Sequence, residues 1–125
     1  MKVAARLLMA LLLAASCRFT DMALVTVRNE TTTDVTVYVR LPGDEQFRED
    51  LLLESGQESA LLKYEEPGTT PRPVLEVIEA LKLVTATCAV TLEGPALTQA
   101  TLRVPYHRRW LLRVTPALLQ AARCP

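Results

Sequence analysis

The sequence predicts a mainly β fold: a small antiparallel β-sandwich of about seven strands, finished by a short C-terminal helix. Three observations carry the prediction. Apolar residues recur at every second position through several runs, and side chains on a strand alternate between faces. Turn-forming Gly, Pro, Asn and Asp recur roughly every 8 to 12 residues. The alternating runs are rich in Val and Thr, which suit a pleated, half-buried surface.

The elements follow in order. Ala23, Val25 and Val27 alternate with Leu24, Thr26 and Arg28, and Val35, Val37, Val39 and Leu41 with Thr36, Tyr38 and Arg40. Asn29-Glu30-Thr31-Thr32-Thr33-Asp34 joins the two runs as a polar connection, so they are expected to pair as an antiparallel hairpin. Pro42-Gly43-Asp44 signals a turn. Phe47 to Leu53 gives a third strand with Phe47, Leu51 and Leu53 on one face, and after Ser55-Gly56 a fourth runs from Glu58 to Tyr64. Glu65 to Pro73 contains three Pro and one Gly and reads as a loop. Val74 to Leu81 fits either a helical face or a strand. Alternation returns at Val84, Ala86, Cys88, Val90 and Leu92, then Gly94-Pro95 turns the chain. Thr98 to Val104 and Trp110 to Val114 are the last strands, and Pro116 to Arg123 forms helical turns, with Pro near the start where it is tolerated.

Composition narrows the class. The chain has 125 residues, of which 14 are Lys or Arg and 14 Asp or Glu, so it has room for one small domain and no net charge. A chain without a basic surplus is not a general nucleic-acid binder. One His and, downstream of the N-terminal run, two Cys are too few for the usual zinc sites, no phosphate-binding glycine motif or nucleophile elbow occurs, and no cofactor is expected.

The N-terminus carries more. Lys2 and Arg6 precede Leu7 to Ala15, an uncharged apolar run of nine residues. Spanning a bilayer takes roughly 20 residues, so the pattern is that of an export signal rather than a permanent anchor. The end of this run, Leu13-Ala14-Ala15-Ser16-Cys17, resembles the lipobox of bacterial lipoproteins. The resemblance covers residues 1–17 alone. It implies diacylglyceryl transfer to the Cys17 thiol, cleavage between Ser16 and Cys17, and acylation of the new α-amino group. Small residues let the backbone enter the peptidase, and the thiolate is the nucleophile. The family favours Leu three places before the Cys, where this chain has Ala14. Residues 1–16 are then a cleaved signal and residues 17–125 one tethered domain, with palmitate-like acyl chains each adding ~0.8 kcal/mol of membrane affinity per methylene. Arg18, rather than Asp, follows the Cys, which by the same resemblance favours the outer membrane where the cell has one.

Cysteine arithmetic agrees. If Cys17 carries lipid, Cys88 and Cys124 remain, and export permits a disulfide between them. Such a bridge is worth roughly 4 kcal/mol in the chain-entropy model and would staple the C-terminus.

Catalytic constellations are sparse. His107, the one His, lies between Tyr106 and Arg108 with no partner visible. Asp44-Glu45, Glu49-Asp50 and Glu65-Glu66 pair carboxylates along the sequence, but acid chemistry needs two facing each other across a cleft, and no EF-hand spacing is present. Asn29-Glu30-Thr31 matches an N-glycosylation acceptor, which a bacterial chain would leave unused. Charge is unevenly distributed. Residues 44–66 hold eight acids and two bases, whereas residues 94–125 hold five Arg and no acid. Either the basic strands lie beside the acidic ones, or they face a partner or anionic lipid. Tyr106, His107, Arg108 and Arg109 combine the residue types that anchor interfaces and form the candidate partner-binding segment. Trp110 fits the core by its place in the alternation. The expectation is therefore a non-catalytic binding or assembly module, exported and lipid-anchored in a bacterial envelope, with an envelope protein as possible partner. The alternatives are a secreted, unlipidated binding domain or inhibitor and, third, an acid-residue hydrolase.

Overall fold

A computed structural model describes residues 21–66, 72–104, 109–122 and 124. Eight strands run as β1 (Asp21–Asn29), β2 (Val35–Arg40), β3 (Arg48–Leu53), β4 (Glu58–Glu66), β5 (Ala80–Val84), β6 (Ala89–Glu93), β7 (Thr101–Val104) and β8 (Arg109–Val114). Three short helices join them: α1 (Val74–Val77), α2 (Gly94–Ala100) and α3 (Pro116–Ala121). The strands form two four-stranded sheets, β4-β1-β8-β7 and β3-β2-β5-β6. All pairs are antiparallel except β1 with β8, where the first and last strands run parallel in the centre of one sheet.

The core lies between the sheets. Val25, Val27, Leu112 and Val114 come from the first sheet; Val35, Val37, Leu53, Leu81 and Leu83 come from the second, and all are at most 1% exposed. Burying each such side chain contributes about 1.5–3 kcal/mol. The burial pattern of β2, buried at every odd position, is the alternation read from the sequence.

Four expectations need correction. The runs 23–28 and 35–41 are not a hairpin: β1 and β2 lie in opposite sheets. The buried Asn29 ends β1 and fixes the connection so that it crosses from one sheet to the other. Second, Phe47 does not share a face with Leu51 and Leu53. A bulge at Asp50, between Leu51↔Val37 and Glu49↔Tyr38, shifts the strand by one residue. A one-residue shift turns the preceding side chains to the other face, so Phe47 meets the outward-facing Arg40 and Lys82.

Third, the expected strand from Val84 to Leu92 is two strands. Thr85 closes a turn between them: its amide donates to the Cys88 carbonyl (2.9 Å) and its hydroxyl accepts from the Cys88 amide (3.2 Å). The ambiguous stretch 74–81 resolves as a single helical turn, α1, followed by the start of β5. Fourth, Gly94-Pro95 opens α2 rather than merely turning, and residues 98–100 are helical. Pro at the first turn suits a helix start, Leu97 is fully buried, and Thr101 Oγ1 closes the helix by donating to the Leu97 carbonyl (3.0 Å).

Candidate functional site

The described chain begins at Asp21, the first residue of β1. Cys17 and the signal-like residues 1–16 lie outside the described residues. Three residues lie between Cys17 and Asp21, and the four steps reach ~14 Å when fully extended. The start of β1 marks the Cys17-proximal end of the sandwich. At that end Asp21 pairs with Glu66 of β4, Leu24 with Arg109 of β8, and Arg109 in turn with Val104 of β7.

The other two cysteines are bonded to each other. Cys88, in the β5–β6 turn, and Cys124, beyond α3, form a disulfide with Cα atoms 5.7 Å apart. This ties the C-terminal helix to the end of the sandwich opposite the start of β1. Thr115 caps α3 by accepting from the Leu118 amide (3.1 Å), and no α3 side chain is fully buried. Leu118 and Leu119 are its contacts with the core.

Of the candidate partner-binding residues, Tyr106, His107 and Arg108 lie outside the described residues. Arg109 is described, and its guanidinium is engaged within the domain. Arg109 Nη1 donates to Glu58 Oε2 (3.1 Å), while Arg28 Nε holds the other carboxylate oxygen (3.1 Å). Arg109 and Arg28 thus share one carboxylate across the outer face of the first sheet. Arg113 forms a bidentate pair with Glu30, with Nη2 donating to Oε1 at 2.8 Å. These hydrogen bonds hold the Glu30 carboxyl below the ordinary Glu range; desolvation opposes them, and the positive charges of Arg113 and then Arg28 add to the lowering. The basic C-terminal strand therefore does reach acidic residues of the same domain. Solvent screens exposed pairs of this kind, so they add little to stability. Trp110 is half-buried against the core and donates from Nε1 to the Arg72 carbonyl (3.1 Å).

Two clusters were not singled out from the sequence. The first is Asn29, fully buried at the distal end of β1. Its Nδ2 donates to the carbonyls of Thr33 (2.7 Å) and Leu53 (3.0 Å), and its Oδ1 accepts from the amide (3.0 Å) and hydroxyl (2.6 Å) of Thr31. Its backbone donates to the Gln57 carbonyl and accepts from the Gly56 amide. One side chain thus fastens β1, the 30–34 connection and the β3–β4 turn, and the glycosylation-like tripeptide is a structural knot whose amide has no room for a glycan. The signal was an Asn before a Thr-rich connection, where a short polar side chain commonly bonds the backbone two residues on. The second is on the outer face of the other sheet, where the Lys82 ammonium lies over the rings of Tyr38 (4.7 Å) and Phe47 (5.1 Å) and Arg40 over Phe47 (5.0 Å). The bulge that turns Phe47 outward could not be read from alternation.

Asp44 pairs with Arg48, and Asp44, Glu45, Gln46 and Arg48 surround an open hollow of about 340 Å³. A larger groove of about 410 Å³ runs between β6, α2 and α3, lined by Val90, Leu92, Ala96, Gln99 and Leu118 among others, with no titratable side chain. Among the described residues no group of three His, Cys, Asp or Glu is placed to hold a metal ion, and no helix is long and apolar enough to cross a membrane.

Comparison with protein-family models, with curated proteins and with solved structures finds no match in any of the three.

Proposed function

We propose that the chain is a bacterial envelope lipoprotein: a β-sandwich held at a membrane surface through an acylated Cys17, acting as a binding or assembly module rather than an enzyme. The observation that carries this reading is the cysteine pairing. Of three cysteines, Cys88 and Cys124 are bonded to each other, which leaves Cys17 as the one cysteine without a partner. It is also the residue on which the export-signal pattern ends. An internal disulfide fits an oxidising, exported location. A second support is the short tether, since the first strand begins four residues after Cys17 and holds the domain against the bilayer. The groove beside α3, lined mainly by apolar side chains, and the exposed strand edges are surfaces for contact.

The test is fractionation of cells making the full chain and its Cys17→Ser variant. The parent is expected in the membrane fraction, released by detergent but not by salt, and the variant in the soluble or unprocessed fraction. A Cys17→Ser variant that is still processed and membrane-held would overturn the assignment. Parent protein free in the periplasm or medium would favour the secreted, unlipidated alternative.

A further inference from the structure

The two lateral edges of the sandwich differ in charge. One edge consists of β3 beside β4, drawn from residues 44–66 with eight acids and two bases. The opposite edge consists of β7 and β6, where Arg103 lies on β7 and the one acid, Glu93 of β6, is paired with Arg40. After internal pairing the difference persists. Glu45, Glu49, Asp50 and Glu54 on and around β3 are exposed and make no ion pair with a described residue, and the same is true of Arg103 on β7. Each edge also displays a large apolar side chain: Leu52 on β3 is 61% exposed and Leu102 on β7 51%. β3 and β7 are terminal strands of their sheets, so each leaves one row of backbone donors and acceptors unpaired.

From these edges we infer that the anchored domain associates side by side with further copies of itself, β3 of one copy adding antiparallel to β7 of the next. The inference rests on the lipid-anchor reading for orientation. β1 leads away from the anchor. β8 is parallel to β1, so β7, antiparallel to β8, runs back toward the anchor. β4 also runs toward the anchor, and the β3–β4 turn lies at the distal end, where Gly56 and Gln57 bond Asn29. β3 therefore runs outward. Copies anchored in one membrane share this direction, so β3 meets a neighbour's β7 antiparallel, with acids facing Arg103 and Leu52 near Leu102. A β3–β3 contact between two such copies would be parallel and would oppose like charges. Making it antiparallel would invert one copy and lift its anchor off the membrane.

The contact is short. The bulge at Asp50 limits regular pairing on β3 to Leu51–Leu53, and β7 has four residues. Short edges with charges protect a freely diffusing protein from edge pairing. Confinement to a membrane surface raises the effective concentration, and that makes a weak contact effective. Because the two edges differ, the contact does not close on itself, and it builds rows rather than dimers.

The test is energy transfer between donor- and acceptor-labelled copies on neutral phosphatidylcholine vesicles, with dyes at Thr32→Cys on the distal end. Two forms are used: the acylated protein extracted from membranes, and a Cys17→Ser chain held at the same end by an N-terminal histidine tag on nickel-chelating lipid. Transfer should exceed the random two-dimensional level at least threefold. It should fall to that level in 0.5 M salt, in the Glu49→Lys/Asp50→Lys chain and in the Arg103→Glu chain. It should return when all three changes are combined, since the two edges then complement each other again. Random-level transfer for the unaltered tagged chain, or transfer indifferent to both reversals, overturns the inference. Failure to recover an acylated form would refute the anchor alone, because the tagged form tests the edges independently.

Discussion

Replacing Asn29 with Ala removes the knot that joins three segments. In the parent, four hydrogen bonds converge on this one side chain, with Nδ2 donating to Thr33 and Leu53 carbonyls and Oδ1 accepting twice from Thr31. Thr33 is exposed, so water replaces the bond to its carbonyl. Leu53 is 1% exposed and Thr31 7% exposed, so the Leu53 carbonyl and the Thr31 amide lose their partners in a buried place. Each orphaned buried group costs about 1–3 kcal/mol. The expected loss is therefore about 2–6 kcal/mol, a large part of the ~5–15 kcal/mol that holds a domain of this size together. It should lower Tm by on the order of 10–25 °C. The assay is urea unfolding followed by circular dichroism, with Thr32→Ala as control, since Thr32 is exposed and lies in the same connection. An Asn29→Ala midpoint equivalent to less than ~0.5 kcal/mol of destabilisation would refute the claim that this amide holds the crossover. Amide exchange should accelerate first in residues 29–34 and 53–57, and uniform acceleration across all strands would show that the network is not local.

Three further outcomes follow from the same geometry. Removing the disulfide with Cys88→Ser/Cys124→Ser should cost up to about 4 kcal/mol and expose α3 to protease before the strands, because α3 has no fully buried residue; equal protection of α3 in parent and variant would contradict this. The Glu30 carboxyl, held low chiefly by the Arg113 hydrogen bonds, should titrate below the ordinary Glu range by NMR, and Arg113→Ala should raise its midpoint. Since the folded value is the depressed one, the contribution of this pair is complete above the usual Glu range and is lost as pH falls through the lowered value; an unchanged midpoint in the variant would remove the pairing from the account. Leu83→Ala, at a fully buried position facing the opposite sheet, should destabilise by about 2–5 kcal/mol, and a loss within ~0.5 kcal/mol would mean the two sheets do not share the core described.

The mainly β class, the β1, β2, β4 and β8 runs and α3 were legible because each shows its period directly. Val35, Val37 and Val39 alternate with polar residues, and Pro116 opens a helix after a Thr cap. The pairing of strands was less legible. Nothing local to β1 says that it will skip β2 and take β8 in parallel, since that partner is more than 80 residues away. Phe47 misled because a bulge reverses facing without leaving a mark in the alternation. The run 84–92 misled because Thr85 and Cys88 alternate correctly while the Thr85 hydroxyl closes a turn. Cys88–Cys124 was legible as arithmetic. Asn29 was visible as an acceptor-like tripeptide, but burial decides its role, and burial depends on the crossing between sheets.

An export and acylation site at Cys17 is the claim on which orientation, location and lateral association depend. The most direct measurement is the intact mass of the native chain extracted from membranes, with fragmentation to locate any modification. The expected species is residues 17–125 carrying the added mass of acyl chains on Cys17, with Cys88 and Cys124 two hydrogens short as a disulfide. A mature chain of unmodified mass, or one beginning elsewhere than Cys17, would contradict it.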